Sequence, residues 1–148
     1  MRLSAKGRYA LAATTCMAQN NGSNEYITLI SISEKLGISK IYLEQVFSLL
    51  KHGGIVNSIK GSQGGYQLSR IPEQITVYDI LSSVETSLFE KTEETVKEKA
   101  PGIETALNQT VYLPLDSVIR TSLQQISLSN LAAEAERYNP DQGFMFFI

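Results

Sequence analysis

Cysteine occurs once in this chain and histidine once, in 148 residues. One thiol excludes an intrachain disulfide and any cluster held by several thiolates. Cys16 also lies among small and apolar neighbours, from Ala12 to Ala18, and reads as a buried space-filler. With His52 as the sole imidazole and no carboxylates paired at a motif spacing, no catalytic set can be assembled, so an enzyme is not expected. Long hydrophobic runs are missing as well. No stretch approaches the roughly 18 apolar residues of a membrane span, and the N-terminus lacks the apolar core of a signal peptide. The expectation is a cytoplasmic protein with no membrane contact and no bound metal.

Charge of one sign is scarce in each half. Residues 1–70 hold eight basic side chains (Arg2, Lys6, Arg8, Lys35, Lys40, Lys51, Lys60 and Arg70) against three acidic ones, a net +5. Residues 71–148 hold five basic side chains against twelve acidic ones, a net −7. The overall −2 therefore conceals a basic half suited to a polyanion and an acidic half suited to something else.

The best-patterned stretch is Ser39–Lys51. Leu43, Val46, Phe47 and Leu50 follow the i, i+3, i+4, i+7 spacing of one helical face. Ile41, Glu44, Gln45, Ser48 and His52 fall on the opposite face, with Tyr42 and Leu49 at the boundary. Ser39 is placed to cap the first turn, and Gly53-Gly54 closes the last. Just before it, Thr28 caps a short helix over Leu29–Leu36 that Gly37 stops. Two helices joined by about three residues including a glycine describe a helix-turn-helix. Just after it, two strand-like runs flank Gly61-Ser62-Gln63-Gly64-Gly65, which predicts a β-hairpin with Lys60 at its tip. Helix, turn, helix and hairpin in that order predict a winged helix, with the hairpin as wing.

The remaining segments follow the same rules. Ser4 is placed to cap a first helix containing Tyr9, Ala13, Cys16 and Met17, with Arg2, Lys6 and Arg8 at its start. Thr76, with Asp79 three residues on, caps a helix carrying Val77, Ile80, Leu81 and Val84. Glu90 to Lys99 is dominated by charge and reads as a solvated linker. Ile103–Tyr112 forms a short helix. Because proline is tolerated only in a first turn, Pro114 places the start of another helix near Leu115. Leu115, Val118, Ile119, Leu123 and Ile126 then form an apolar stripe that a second copy of the chain would cover. Ser127 caps a last helix, and the chain ends in Phe144-Met145-Phe146-Phe147-Ile148. The expected fold is mainly α with a small β-hairpin. A winged helix-turn-helix DNA-binding domain occupies residues 1–84 and a charged linker 85–102, with dimerisation helices and an apolar tail over 103–148.

Three motifs carry a family resemblance. Met1-Arg2-Leu3-Ser4-Ala5-Lys6-Gly7-Arg8-Tyr9-Ala10, Tyr42-Leu43-Glu44-Gln45 and Gly61 to Gly65 with Tyr66 resemble the Rrf-two family. These are bacterial winged-helix regulators of the IscR, NsrR and CymR types. The likeness is specific over residues 1–70 and rests on helix order beyond them. It implies a homodimer that binds double-stranded DNA at an inverted-repeat operator and usually represses transcription. The implied DNA-facing set is Arg2, Lys6 and Arg8; Ser39, Lys40, Ile41, Tyr42, Glu44, Gln45 and Ser48; and Lys60, Gly61, Ser62, Gln63 and Gly64. Many relatives carry arginine where this chain has Lys60, a compact point charge that favours phosphate contacts.

Iron–sulfur members of that family carry three cysteines between the fourth helix and the dimerisation helix. The matching segment here, Glu85 to Gly102, has neither cysteine nor histidine, so no cofactor is expected. The likeness is then closest to the cysteine-free CymR-like branch, the cysteine-metabolism repressors, whose chains also end in an apolar run with a terminal isoleucine. That branch partners with O-acetylserine sulfhydrylase. Phe144, Phe146, Phe147 and Ile148 either dock on such a partner or pack back on the dimer, since exposed apolar residues call for cover. The competing reading is a protein-interaction adaptor that keeps the winged helix without using it on DNA.

Overall fold

The computed structural model describes residues 2–20, 26–61 and 64–140. Helix α1 (Ala5–Gln19) begins where the Ser4 hydroxyl accepts the Gly7 N–H at 3.1 Å. Helix α2 (Leu29–Leu36) is capped by Thr28, and its end is turned by Gly37 at φ 68°, a left-handed conformation that favours glycine. Helix α3 (Lys40–His52) starts at Ser39, whose hydroxyl accepts from the Tyr42 N–H. Its buried side chains are Leu43, Val46, Phe47 and Leu50, the four named by their spacing. Each contributes on the order of 1.5–3 kcal/mol by leaving water.

Strands β1 (Val56–Ile59) and β2 (Gly65–Leu68) form the antiparallel hairpin, with Val56 opposite Leu68 and Ile59 opposite Gly65. Ile27 extends this sheet by one bridge, exchanging both backbone hydrogen bonds with Tyr66 at 2.8 Å. Glycine at position 65 allows this close approach, because a Cβ there would lie 3.1 Å from the Tyr26 side chain and 3.2 Å from the Ile27 carbonyl oxygen, a tight fit that would push the neighbours apart. The bridge therefore ties the wing to the segment entering α2.

Helix α4 (Val77–Val84) opens with the expected capping box between Thr76 and Asp79. Arg70, leaving the wing, pairs with Asp79 at 3.3 Å and donates to the Gly54 and Gln74 carbonyls. It thus pins the hairpin to the ends of α3 and α4. Helix α7 (Leu128–Arg137) joins the same core. Leu128 is fully buried, and Thr76 and Ser127 pair as a bridge in which Val77 donates to Ile126 and Leu128 to Ile75.

The region around Pro114 departs from expectation. No break occurs there: α5 (Pro101–Leu107), a π-helical turn (Asn108–Tyr112) and α6 (Leu113–Gln124) run on as one rod. Proline mid-helix removes one i→i−4 donor and crowds the preceding carbonyl. The π turn just before it widens the helix where that strain would arise, and the Leu113 N–H reaches back five residues to the Asn108 carbonyl.

The charged linker is solvated along Glu90–Thr95 and yet tied down at three points. Glu85 Oε1 accepts from the Ser4 N–H and hydroxyl at 2.9 and 2.6 Å. The Phe89 carbonyl accepts from Arg120 at 3.1 Å, with the guanidinium over both the Phe89 and Tyr78 rings. Asp116 holds Arg120 from the other side at 2.7 Å and raises its pKa further. Glu104 takes the Thr95 and Val96 N–H groups.

Candidate nucleic-acid interface

Residues of α1, α2, α3 and the wing line two hollows beside α3. The inward side of α3 is fixed by core packing, so its outward side is held rigid. On that side Ile41 is 70 % exposed, and Glu44, Gln45 and Ser48 are exposed as well. Lys6 of α1 joins Ile41, Glu44, Gln45 and Ser48 in lining a shallow concavity. Lys40 shares a second hollow with the α2 cap Thr28, with Ile30 of α2 and with Ser58, Ile59 and Gly64 of the wing. The outward face of α3 thus has Lys6 of α1 beside it and the helix's own Lys40 at its N-terminal end.

Not every expected residue has the same part in this face. Ser39 is the α3 cap, its hydroxyl engaged by the backbone. Tyr42 is partly exposed and packs edge-on to Tyr9 at 5.1 Å, which sets the angle between α1 and α3. Lys40 and Glu44 pair at 3.8 Å on the surface, an interaction of small worth in water that DNA can displace. Arg2, Lys6 and Arg8 are exposed at the start of α1, where Arg8 also donates to the Leu3 carbonyl. Lys60 and Gly61 are exposed at the wing, next to Ser62 and Gln63, which lie outside the described residues. Thr28 and Ile30 were not expected here. From the sequence, Thr28 has a capping role and Ile30 has no assigned role.

The stripe expected to face a second copy divides. Leu115 and Val118 are 56 % and 66 % exposed, whereas Ile119 is half-buried. Leu123 and Ile126 turn inward and line an apolar cavity of about 540 Å³ with Leu3, Leu11, Cys16 and Leu131. Ile103 and Val111, both exposed, extend the outward stripe along the rod. The tail residues Phe144, Phe146, Phe147 and Ile148 lie outside the described residues.

Cys16 is 3 % exposed, and burial pushes its thiol pKa up while Lys35 pulls it down more weakly. The thiolate is the reacting form, so this residue is expected to be inert. A disulfide reagent at pH 8 should label the native chain far more slowly than the urea-unfolded chain. Equal rates would show that the thiol is accessible.

Among the described residues no three His, Cys, Asp or Glu side chains could hold a metal ion. His52 is exposed at the far end of α3, and Cys16 is enclosed in α1, so the two softest donors cannot share one ion. No helix among the described residues is long and apolar enough to cross a membrane.

A helix-turn-helix with a two-stranded wing and an exposed, lysine-flanked second helix defines a winged helix-turn-helix protein. Residues 3–134 match the model of the Rrf2 family, described as iron-dependent transcriptional regulators. The HTH-type transcriptional regulator IscR of Aliivibrio salmonicida is 38 % identical over 136 residues, covering 92 % of this chain and 80 % of that protein. Among solved structures, IscR of T. potens superposes with a TM-score of 0.73 at 34 % identity, over 99 % of this chain and 96 % of that one. CymR, the global cysteine regulator of B. subtilis, superposes with a TM-score of 0.72 at 29 % identity, over 90 % and 98 %. The chain belongs to the Rrf2 family of transcriptional regulators, a family of regulators and not of enzymes. The donors described above do not fit the iron of the family's description.

Proposed function

We propose that this chain is a homodimeric repressor that reads an inverted-repeat operator without an iron–sulfur cluster. The observation that carries the reading is the rigid outward face of α3, bracketed by Lys6, Lys40 and the wing. Lysines and arginines of α1 and the wing neutralise phosphates and set register, carrying no sequence information. Glu44 accepts from a cytosine amino group, Gln45 pairs with adenine, and Ile41 touches a thymine methyl. Residues 1–84 supply this surface. The rod, with Leu115 and Val118 outward, supplies the two-fold contact that sets two half-sites about 34–36 Å apart.

Control of cysteine or sulfur metabolism is the finer reading. It is supported by the likeness to CymR and by the absence of thiolate ligands in residues 85–102. The partner in that reading is O-acetylserine sulfhydrylase. Selection of bound duplexes from a random pool, with and without that enzyme, tests both levels. Enrichment of a palindrome is the expected result, and a shift on adding the enzyme supports the partner. Recovery of no preferred sequence, together with salt-independent binding to random duplex, would instead favour the adaptor.

Two substitutions separate the roles. Lys60→Ala should weaken binding to all sequences alike and reduce the slope of log affinity against log salt by about 0.9, one phosphate's worth. Glu44→Ala should cost roughly 1–3 kcal/mol of discrimination at one base pair. Equal loss on specific and random DNA would remove Glu44 from base reading.

A further inference from the structure

Glu104 is the one charged side chain that is buried among the described residues, at 7 % exposure. A carboxylate taken from water costs free energy unless its oxygens are paired. Oε1 accepts both the Thr95 and Val96 N–H groups, so half of the acceptor capacity is used there. None of the described ion pairs includes Glu104. The residue also lines a cavity of about 220 Å³ between the charged segment and the rod.

Three further features of that cavity point to a ligand. The rod's side of it is formed by Thr105, Asn108, Gln109 and Tyr112, and the last three belong to the π-helical turn. Such turns are often found at functional sites, because they re-aim side chains that an α-helix would stack. The segment's side supplies Lys91, Thr92, Glu94 and Lys97. Lys97 pairs with Glu94 at 3.1 Å, so Lys91 and Glu104 are the charged lining residues outside the described ion pairs. The volume lies below the roughly 300–1,000 Å³ of drug-sized sites, so the guest must be small.

We propose that this cavity binds a free α-amino acid. Its carboxylate meets Lys91, its ammonium meets Glu104, and the hydroxyl and amide groups of the π turn receive a polar side chain. One positive and one negative group within a small polar chamber match a zwitterion better than a simple anion or cation. A guest there would also brace the segment that Glu85 ties to the α1 cap, close to Lys6. Any effect on operator affinity rests on the DNA-binding reading above, whereas binding of the amino acid does not.

Calorimetric titration of the full chain with each of the twenty standard amino acids, without DNA, tests this directly. At least one should bind saturably, one molecule per chain, in the micromolar to millimolar range. Its deaminated and decarboxylated analogues should each bind at least tenfold more weakly. Lys91→Ala should weaken binding at least tenfold and Lys99→Ala should leave it unchanged. Because Glu104 also holds backbone, Lys91 is the decisive variant and Glu104→Gln a second one. No saturable binding by any amino acid, undiminished binding to Lys91→Ala, or equal binding of a deaminated analogue would each overturn the proposal.

Discussion

Replacing Leu115 and Val118 together by aspartate is expected to leave a folded monomer whose operator affinity falls by about 10³-fold, to the level of non-specific binding. Both side chains are more than half exposed, so the change removes little from the core of the single chain. Exposed substitutions away from buried networks usually alter stability by about 0.5 kcal/mol or less. In the proposed two-fold dimer the same patch is used by both copies, so four carboxylates would be placed in a contact that must exclude water. Loss of the dimer removes the second half-site, and with it most of the affinity that distinguishes an operator from random duplex. Sedimentation velocity, circular dichroism and duplex titration check the three parts. A variant that remains dimeric would show that the two-fold contact lies elsewhere, and the inward-turned Leu123 and Ile126 would be the next candidates.

Phe47→Ala should be the most damaging single change to the fold. Phe47 is fully buried beneath α3, with its ring 4.8 Å from that of Tyr66 in the wing. Truncating a buried phenylalanine typically costs about 3–5 kcal/mol, through lost transfer energy and a residual cavity. A domain of this size has a total stability of about 5–15 kcal/mol. At roughly 2–4 °C per kcal/mol, the midpoint should fall by about 10 °C. Because one ring supports both α3 and the wing, operator binding should weaken well before global unfolding. Urea denaturation followed by circular dichroism gives the stability, and titration at 10 °C gives the binding. A cost under about 1 kcal/mol would mean that the site closes over the lost ring.

The second-helix face was legible because its causes are local. Leu43, Val46, Phe47 and Leu50 recur at helical spacing, and Ser39, Thr28, Thr76 and Ser127 cap within three residues of themselves. The hairpin was legible for a similar reason, since Gly61 to Gly65 separates two short strand-like runs. Pro114 misled, because a proline rule applied locally does not foresee a π turn that absorbs the strain. Leu123 and Ile126 shared a periodicity with Leu115 and Val118, yet only the positions of α1 and α7 decide which of them stay outside.

By itself, then, the sequence determined the helices up to α4 and α7, their caps, the wing and the lysines available to a polyanion, because hydrogen bonds and side-chain periodicity within a few residues dictate them. The absence of a clustered thiolate set was also settled there, by composition alone. Only the tertiary structure decided that Glu85 holds the cap of α1 across 81 residues, that Arg120 clamps Phe89 to Tyr78, and that Glu104 is buried. The Glu85 and Arg120 contacts join groups tens of residues apart in the chain, and the burial of Glu104 depends on how the segment before it folds back on the rod, so no local pattern specifies them.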